Sequence, residues 1–266
     1  GSVGTGGAVY AWANGVNMLL YVNASVESCN FANNQAVVGT EVYQTTGGSA
    51  ALYWVPTGSS LSSLLPLTLR SCSFTNNVLY APNQYVAMVG TVNVAFSTIT
   101  SCVFTNNTGT MVQLSSIVSA ASSTITTCYF TQNYAQVSGV LCPSGPCYFR
   151  GNVYTNQYGE TSACVFVASA QAFSADEVAF NNNYGGGLAF YTGQQATLQI
   201  ESSVFRNNSM VSVFVYGQGS SVTITGCTFA NNTLSGLESS ITTSVTVTDT
   251  QFLYNSAASG AGANVA

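Results

Sequence analysis

The sequence predicts an all-β fold, a parallel β-helix of about nine to ten coils that forms one domain over residues 1–266. Three observations support this prediction. A short motif recurs along the whole chain, apolar and polar residues alternate before each copy, and no helical apolar stripe occurs. The chain starts with Gly1 rather than Met, so it stays open whether it is a segment of a longer repeat protein.

The recurring motif is Phe-x-x-Asn, and a cysteine or another small or apolar residue often stands two places before the phenylalanine. Successive phenylalanines are 19 to 43 residues apart, which is typical of solenoid repeats. A catalytic site is usually written once, whereas a structural unit is written many times. The copies are Phe31/Asn34, Phe74/Asn77, Phe104/Asn107, Phe130/Asn133, Phe149/Asn152, Phe180/Asn183, Phe205/Asn208, Phe229/Asn232 and Phe252/Asn255.

A second strand precedes the motif, in segments such as "STITSC" and "SVTITGC". These segments place Ile99 and Ile224 in register between threonines, and their period of two with β-branched residues predicts strands. A Gly-rich step and another apolar run follow the asparagines, for example "YGGGLAFY". Each unit therefore predicts three short strands, and successive coils are expected to stack about 4.8 Å apart.

The repeated positions predict two interior ladders. The phenylalanines are expected to stack on one another, and the motif asparagines are expected both to turn a left-handed corner and to bond the coils above and below. Where two asparagines are adjacent, the first is expected to face solvent. The predicted Asn ladder consists of Asn34, Asn77, Asn107, Asn133, Asn152, Asn183, Asn208, Asn232 and Asn255.

Charge is scarce: charged residues make up 4 % of the chain, and its only basic residues are Arg70, Arg150 and Arg206. Three scattered arginines cannot neutralise a phosphate backbone, so nucleic-acid binding is excluded. Without histidine, a metal site or an imidazole base is not expected, and no cofactor is predicted. No apolar run is long enough for a membrane span. A chain rich in hydroxyls and amides and devoid of lysine favours an extracellular or cell-surface location.

The motif, followed after a short gap by Gly-Gly-Ala and a hydrophobic residue, resembles the paired repeat of the passengers of chlamydial polymorphic outer-membrane proteins. The second half of the repeat matches well at residues 6–9 and loosely at residues 185–189 and 260–265. Similar repeats occur in surface β-helix proteins of protists and bacteria. The resemblance implies a right-handed, pectin-lyase-like parallel β-helix that serves adhesion or forms a surface coat.

Eight cysteines permit two interpretations. They are buried thiols that act as small apolar residues, or some form disulfides between neighbouring coils, as an extracellular setting favours. Cys72, Cys102 and Cys128 are the foremost candidates for such bonds. Cys142 can pair with Cys147 around a Pro-Gly turn or, alternatively, with Cys164. The candidates are Cys29, Cys72, Cys102, Cys128, Cys142, Cys147, Cys164 and Cys227.

Four Asn-x-Ser/Thr sequons are candidate N-glycosylation sites if the source is eukaryotic. They begin at Asn23, Asn106, Asn207 and Asn231. The last three use the first asparagine of an Asn-Asn pair, which is expected to face solvent. Glycan attachment is therefore predicted on the outer side of the corners.

Two further readings of the outer surface receive less support. Repeated Thr-x-Thr pairs, such as Thr98/Thr100, would form flat ranks like those of ice-binding β-helices, but threonine is also an ordinary exposed strand residue. A polysaccharide lyase or hydrolase needs paired carboxylates. Asp176 and Glu201 share a predicted column with Arg70, which favours an exposed charge pair instead. The sequence therefore predicts no catalytic residues and no enzyme.

The predicted function is that of an extracellular structural or adhesive protein, a subunit of a surface coat or filament. The chain opens and closes on similar Gly-rich strands, so head-to-tail self-association through unpaired strand edges is the expected contact. The alternative is a glycan-binding β-helix module of a larger surface protein. Exposed tyrosines and tryptophans would form its sugar-stacking surface, although the sequence does not identify which of them are exposed.

Overall fold

The computed structural model describes residues 9–14, 24–37, 52–57, 67–80, 87–91, 96–114, 122–142, 146–168, 172–192, 195–240, 244–257 and 260–265. All regular structure in these ranges is β-strand, numbered β1 to β30 in chain order. The strands form three long parallel sheets, and each coil adds one strand to each sheet. The predicted fold class, an all-β parallel β-helix, is therefore confirmed.

The first sheet contains nine strands, which carry the Thr-rich segments upstream of the motif. They are β2 (Ala24–Glu27), β6 (Leu67–Arg70), β10 (Phe96–Thr100), β13 (Ser122–Thr126), β16 (Cys147–Arg150), β19 (Ala172–Asp176), β22 (Thr197–Glu201), β25 (Ser221–Thr225) and β28 (Ser244–Thr248).

The second sheet also contains nine strands, each of only three residues and each centred on an aromatic ring. They are β3 (Asn30–Ala32), β7 (Ser73–Thr75), β11 (Val103–Thr105), β14 (Tyr129–Thr131), β17 (Val153–Thr155), β20 (Ala179–Asn181), β23 (Val204–Arg206), β26 (Thr228–Ala230) and β29 (Gln251–Leu253).

The third sheet contains ten strands and follows the asparagine corner. They are β1 (Val9–Asn14), β5 (Leu52–Thr57), β9 (Ala87–Thr91), β12 (Thr110–Leu114), β15 (Tyr134–Cys142), β18 (Tyr158–Ala168), β21 (Gly186–Thr192), β24 (Val213–Gly217), β27 (Leu237–Ser240) and β30 (Ala263–Val265). Two further strands, β4 (Gln35–Val37) and β8 (Val78–Tyr80), pair with each other.

The core is built from columns of identical positions. The aromatic rings of the second sheet stack with centroids 4.6–4.9 Å apart and planes within 11° of parallel. Because side chains alternate across a strand, the residues on either side of each ring face outward. Opposite the rings, inward residues of the first sheet such as Leu69, Ile99 and Ile200 are fully buried. The predicted Phe ladder is thus the axis of the packing.

Two left-handed residues turn each coil, one before the second sheet and one after it. At the second corner the left-handed residue is the first asparagine of the pair, as at Asn106 (φ 52°) and Asn207 (φ 55°). The expectation that Asn107 turns the corner is therefore wrong, whereas the expectation that it stacks in the ladder is confirmed. The two roles separate because Asn106 adopts the left-handed conformation in solvent, while Asn107 is buried.

Buried amides bind the coils together along the axis. In most repeats the ladder side chain accepts from the backbone N–H and the amide of the preceding coil: Asn107 Oδ1 lies 2.8 Å from Asn77 N and 3.0 Å from Asn77 Nδ2. Asn107 Nδ2 donates to Phe74 O at 2.9 Å and to Asn133 Oδ1 at 3.0 Å. The ladder amides are therefore satisfied inside the core, where an unmet donor would be costly.

The fifth copy of the motif was assigned to the wrong residues. Phe149 lies in the first sheet, in register with Ile125 and Ala175, and Tyr154 fills the ladder between Phe130 and Phe180. The ladder amide at this level is Gln157, which lies 24 residues after Asn133 and 26 before Asn183.

Asn152 therefore does not belong to the Asn ladder. It takes the position that cysteines hold in several other coils, and its Oδ1 accepts from Cys128 N at 2.9 Å. We call these residues, Cys29, Cys72, Cys102, Cys128 and Cys227, the cysteine column. The error arose because "Phe-x-x-Asn" occurs by chance five residues before the true unit "Tyr-x-x-Gln". The other eight predicted ladder asparagines, Asn34, Asn77, Asn107, Asn133, Asn183, Asn208, Asn232 and Asn255, stack in the ladder.

Candidate functional site

The corner after the second sheet places an amide on the surface in coil after coil. These residues form what we call the amide row, and all of them are solvent-exposed. Hydrogen bonds link neighbours, for example from Asn106 Nδ2 to Asn76 Oδ1 at 2.8 Å and from Asn207 Nδ2 to Asn182 Oδ1 at 2.9 Å. The amide row comprises Asn33, Asn76, Asn106, Gln132, Asn156, Asn182, Asn207 and Asn231.

Three tyrosines stand beside this row in consecutive coils. Tyr134, Tyr158 and Tyr184 each follow a buried ladder amide, so alternation turns them outward, and they are 49, 47 and 68 % exposed. Their backbone N–H groups donate to carbonyls of the preceding coil at 2.8–2.9 Å, which fixes their register. The rings of Tyr158 and Tyr184 lie 6.2 Å apart at 31°. We call these three residues the tyrosine row.

A groove runs between the two rows, with a volume of about 620 Å³. Its walls are aromatic faces, amides and a hydroxyl, and none of its lining residues is ionisable except through the tyrosine phenols. The lining consists of Asn76, Thr105, Asn106, Gln132, Tyr134, Asn156 and Tyr158. Such a surface offers stacking faces for C–H groups and both donors and acceptors for hydroxyls.

Sequence reasoning did not locate this groove, although the signal is present. In three consecutive units a tyrosine directly follows the ladder amide, at Asn133-Tyr134, Gln157-Tyr158 and Asn183-Tyr184. The misplaced fifth copy hid the middle member. With that copy placed correctly, the alternation rule alone turns all three rings outward.

The candidate glycosylation residues Asn106, Asn207 and Asn231 all lie in the amide row and are exposed. The Nδ2 atoms that would carry a glycan donate to a neighbouring amide at Asn106 and Asn207. Asn23 lies outside the described residues. Attachment of glycan at these sequons stays a prediction.

The structure describes the side chains of seven cysteines, all except Cys142, and all seven are thiols. The inter-coil disulfides expected among Cys72, Cys102 and Cys128 are not formed. In-register side chains of stacked coils point the same way, so sulfurs lie side by side instead of facing each other. Five of the thiols, those of Cys29, Cys72, Cys102, Cys128 and Cys227, donate to the carbonyl two residues earlier, for example Cys102 Sγ to Thr100 O at 3.4 Å and Cys128 Sγ to Thr126 O at 3.3 Å.

Cys147 does not lie in the cysteine column. It lies on the first sheet, in register with Ser123 and Phe173. Cys164 is buried in the third sheet. Neither is joined to Cys142, because both are thiols.

Hydrogen bonding and burial shift the pKa values of the thiols in the cysteine column. The pKa of Cys128 is raised, mainly by its hydrogen bond to Cys102 and further by burial, whereas the same bond lowers that of Cys102. Burial raises the pKa of Cys72 and of Cys227. Within the described residues no cluster of three or more potential metal ligands of the His, Cys, Asp and Glu types occurs.

The outer face of the first sheet carries the threonine ranks and the scarce charges. The hydroxyl oxygens of Thr100 and Thr126 are hydrogen-bonded at 3.1 Å. In the same column Arg150, Asp176 and Glu201 follow one another. Arg150 Nε lies 3.4 Å from Asp176 Oδ2 and 3.4 Å from Glu177 Oε2. These groups form an exposed ion cluster, and Asp176 is held by an arginine.

No helix in the described part of the chain has the length and apolarity to cross a bilayer. A family model described as a right-handed beta helix region matches residues 51–220 and 146–265. Searches of curated proteins and of solved structures returned no significant match. The family match spans well over half of the sequence and agrees with the parallel sheets, and the chain therefore belongs to the right-handed β-helix family.

Proposed function

We propose that this protein is an extracellular adhesive β-helix module that binds neutral glycans along the tyrosine and amide rows, without catalysis. The observation that carries the proposal is the register of Tyr134, Tyr158 and Tyr184, exposed in three consecutive coils beside an uninterrupted row of amides. Pyranose rings stack their C–H faces on aromatic rings, and amides pair with hydroxyls as donors and acceptors.

The charge distribution supports a neutral ligand. Arg150 and Asp176 lie on the first sheet, Glu177 lies at the corner that follows it, and Arg150 pairs with both carboxylates. An anionic polysaccharide would need cations in the groove, and the lining contains none.

Rigidity supports binding as well. The groove residues project from positions held by backbone hydrogen bonds and by the buried amide ladder, so little conformational entropy is lost when a ligand binds. Adhesion and a surface location follow as the setting in which a neutral, repetitive sugar surface would be useful.

The test is binding of the purified chain to an array of neutral oligosaccharides, followed by calorimetric titration of the best ligand. The Tyr158→Ala variant is expected to weaken that affinity about tenfold, because one stacking face is removed. Tyr148→Ala is the matched control, since Tyr148 is comparably exposed but lies on the first sheet. Equal loss in both variants, or binding to no neutral glycan, would overturn the proposal.

Head-to-tail self-association into a filament or coat is the second proposal. In the last coil Val247, Leu253 and Val265 are 38, 41 and 55 % exposed, which favours contact with another apolar surface. Continuation of the polypeptide after Ala266 would cover the same side chains. Sedimentation and negative-stain imaging of the chain at high concentration test the proposal, and a monodisperse monomer would refute it.

A further inference from the structure

A second group of aromatic side chains lies on the outer face of the third sheet, away from the tyrosine row. We call Phe166, Tyr191, Phe214 and Tyr216 the aromatic patch. The rings of Phe166 and Tyr191 lie 5.2 Å apart and are stacked. Tyr191 also lies 5.4 Å from Phe214 and 6.1 Å from Tyr216. The patch therefore spans three consecutive strands, β18, β21 and β24.

The patch is only partly covered by its own members. Ala189, which lies between Phe166 and Phe214 in the sheet register, is buried beneath the rings. The rings themselves stay partly exposed, and Tyr216 is 44 % exposed. Several partly exposed rings on one sheet face form the composition that is enriched in protein interfaces and in their hot spots.

One carboxylate borders the patch. Glu238 is in register with Phe214 on the next strand and is half-buried. Within the described residues Glu238 has no ion pair, since the arginine ion pairs there are those of Arg150. The register with Phe214 places the carboxylate on the strand beside the rings. Burial and, to a lesser degree, the charge of Glu238 raise the pKa of Tyr191.

We propose that the aromatic patch and Glu238 bind an arginine side chain presented by a protein partner. Charge complementarity carries the choice: a negative group without a counter-ion stands beside aromatic faces, and a cation over such faces is attracted by the ring quadrupoles. The planar guanidinium stacks on aromatic rings and pairs in two-pronged fashion with a carboxylate, which lysine cannot do. A neutral glycan would leave Glu238 without a partner, so this surface and the groove recognise different chemistry.

The probe is a short capped peptide, Gly-Arg-Gly, titrated into the isotopically labelled full chain and followed by nuclear magnetic resonance. A saturable shift confined to the patch is expected, together with ring-current shifts of the arginine methylenes. The same peptide with citrulline in place of arginine keeps the shape and loses the charge. Its affinity is expected to be lower by about fivefold or more.

Variants locate the effect. Glu238→Gln and Tyr216→Ala are each expected to weaken arginine binding about two- to fivefold, as an exposed ion pair and a cation–π contact would predict. Tyr216 is 44 % exposed and faces outward, so its removal leaves the core intact. Tyr148→Ala, at a comparably exposed position on the first sheet, serves as the control. Equal binding of the citrulline peptide, the absence of a saturable shift, or insensitivity to both variants would overturn the proposal.

Discussion

Replacement of Asn208 by alanine tests the amide ladder at a fully buried position. The Asn208 side chain makes four hydrogen bonds: it accepts from Asn183 N at 3.2 Å and from Asn183 Nδ2 at 2.9 Å, and it donates to Phe180 O and Asn232 Oδ1 at 3.1 Å each. All four are buried. Alanine removes them and leaves unmet the backbone N–H of Asn183 and one N–H of its side-chain amide, while Asn183 Nδ2 still donates to Tyr154 O at 3.3 Å.

The magnitude follows from these bonds. Each of the two buried N–H groups left unmet costs about 1–3 kcal/mol, so the free energy of unfolding is expected to fall by roughly 2–6 kcal/mol. At about 2–4 °C per kcal/mol for a chain of this size, Tm is expected to decrease by roughly 5–20 °C.

Thermal unfolding followed by circular dichroism is the assay, and Asn207→Gly is the control. Asn207 is the exposed neighbour, makes one side-chain bond to Asn182, and has a φ of 55° that glycine adopts without strain. The control is expected to lose about 1 kcal/mol or less. If the two variants unfold at similar temperatures, the buried ladder does not carry the stability assigned to it.

Three further predictions concern the core. Phe104→Ala should lower the unfolding free energy by about 3–5 kcal/mol by opening a gap in the ring stack, while Tyr129→Ala on the outer face of the neighbouring strand should change it by about 0.5 kcal/mol or less; denaturant unfolding compares them. Gly187→Ala should destabilise by about 1–3 kcal/mol, because the new Cβ would lie 2.6 Å from Ser212 O and 2.8 Å from Phe205, and an unchanged melting curve would contradict the packing. Burial raises the pKa values of Cys72 and Cys227 in the folded state, so the stability that these thiols contribute is fully present below the ordinary thiol pKa of 9.0 and is lost as pH rises above it. Exposed Cys29 should be alkylated before Cys72, Cys128 and Cys227, as mass spectrometry would show, and equally rapid labelling of all four would contradict the burial.

The sequence was sufficient for the fold because the coil repeats its own positions. Phe104, Cys102 and Asn107 are read in register with their counterparts in other coils, and periodicity two assigns each to the inside. The pattern failed in the one unit where residues of similar shape but different identity replace the motif's phenylalanine and asparagine. Tyr154 stacks as phenylalanine does, and Gln157 replaces asparagine, so a literal motif selected Phe149 and Asn152 instead.

The groove could be inferred only in part. Alternation predicts that a residue after a ladder amide faces outward, but it does not predict how far Tyr158 stands from Tyr184 or that Gln132 and Asn156 line the same space. The aromatic patch was still harder to predict from the sequence. Tyr191 and Phe214 meet diagonally across strands, and that contact depends on the register between coils, which insertions of variable length conceal from the sequence.

The tyrosine row has neighbours that share its geometry without sharing its side chain. Thr108 and Ser209 occupy the equivalent positions in the flanking coils, with backbone N–H groups bonded to Asn77 O and Asn183 O. Their side chains point away from the ring stack, so tyrosine there would not disturb the core. A single residue substitution at either end would therefore lengthen or shorten the tyrosine row by one ring. In this architecture the length of an exposed aromatic surface can vary independently of folding.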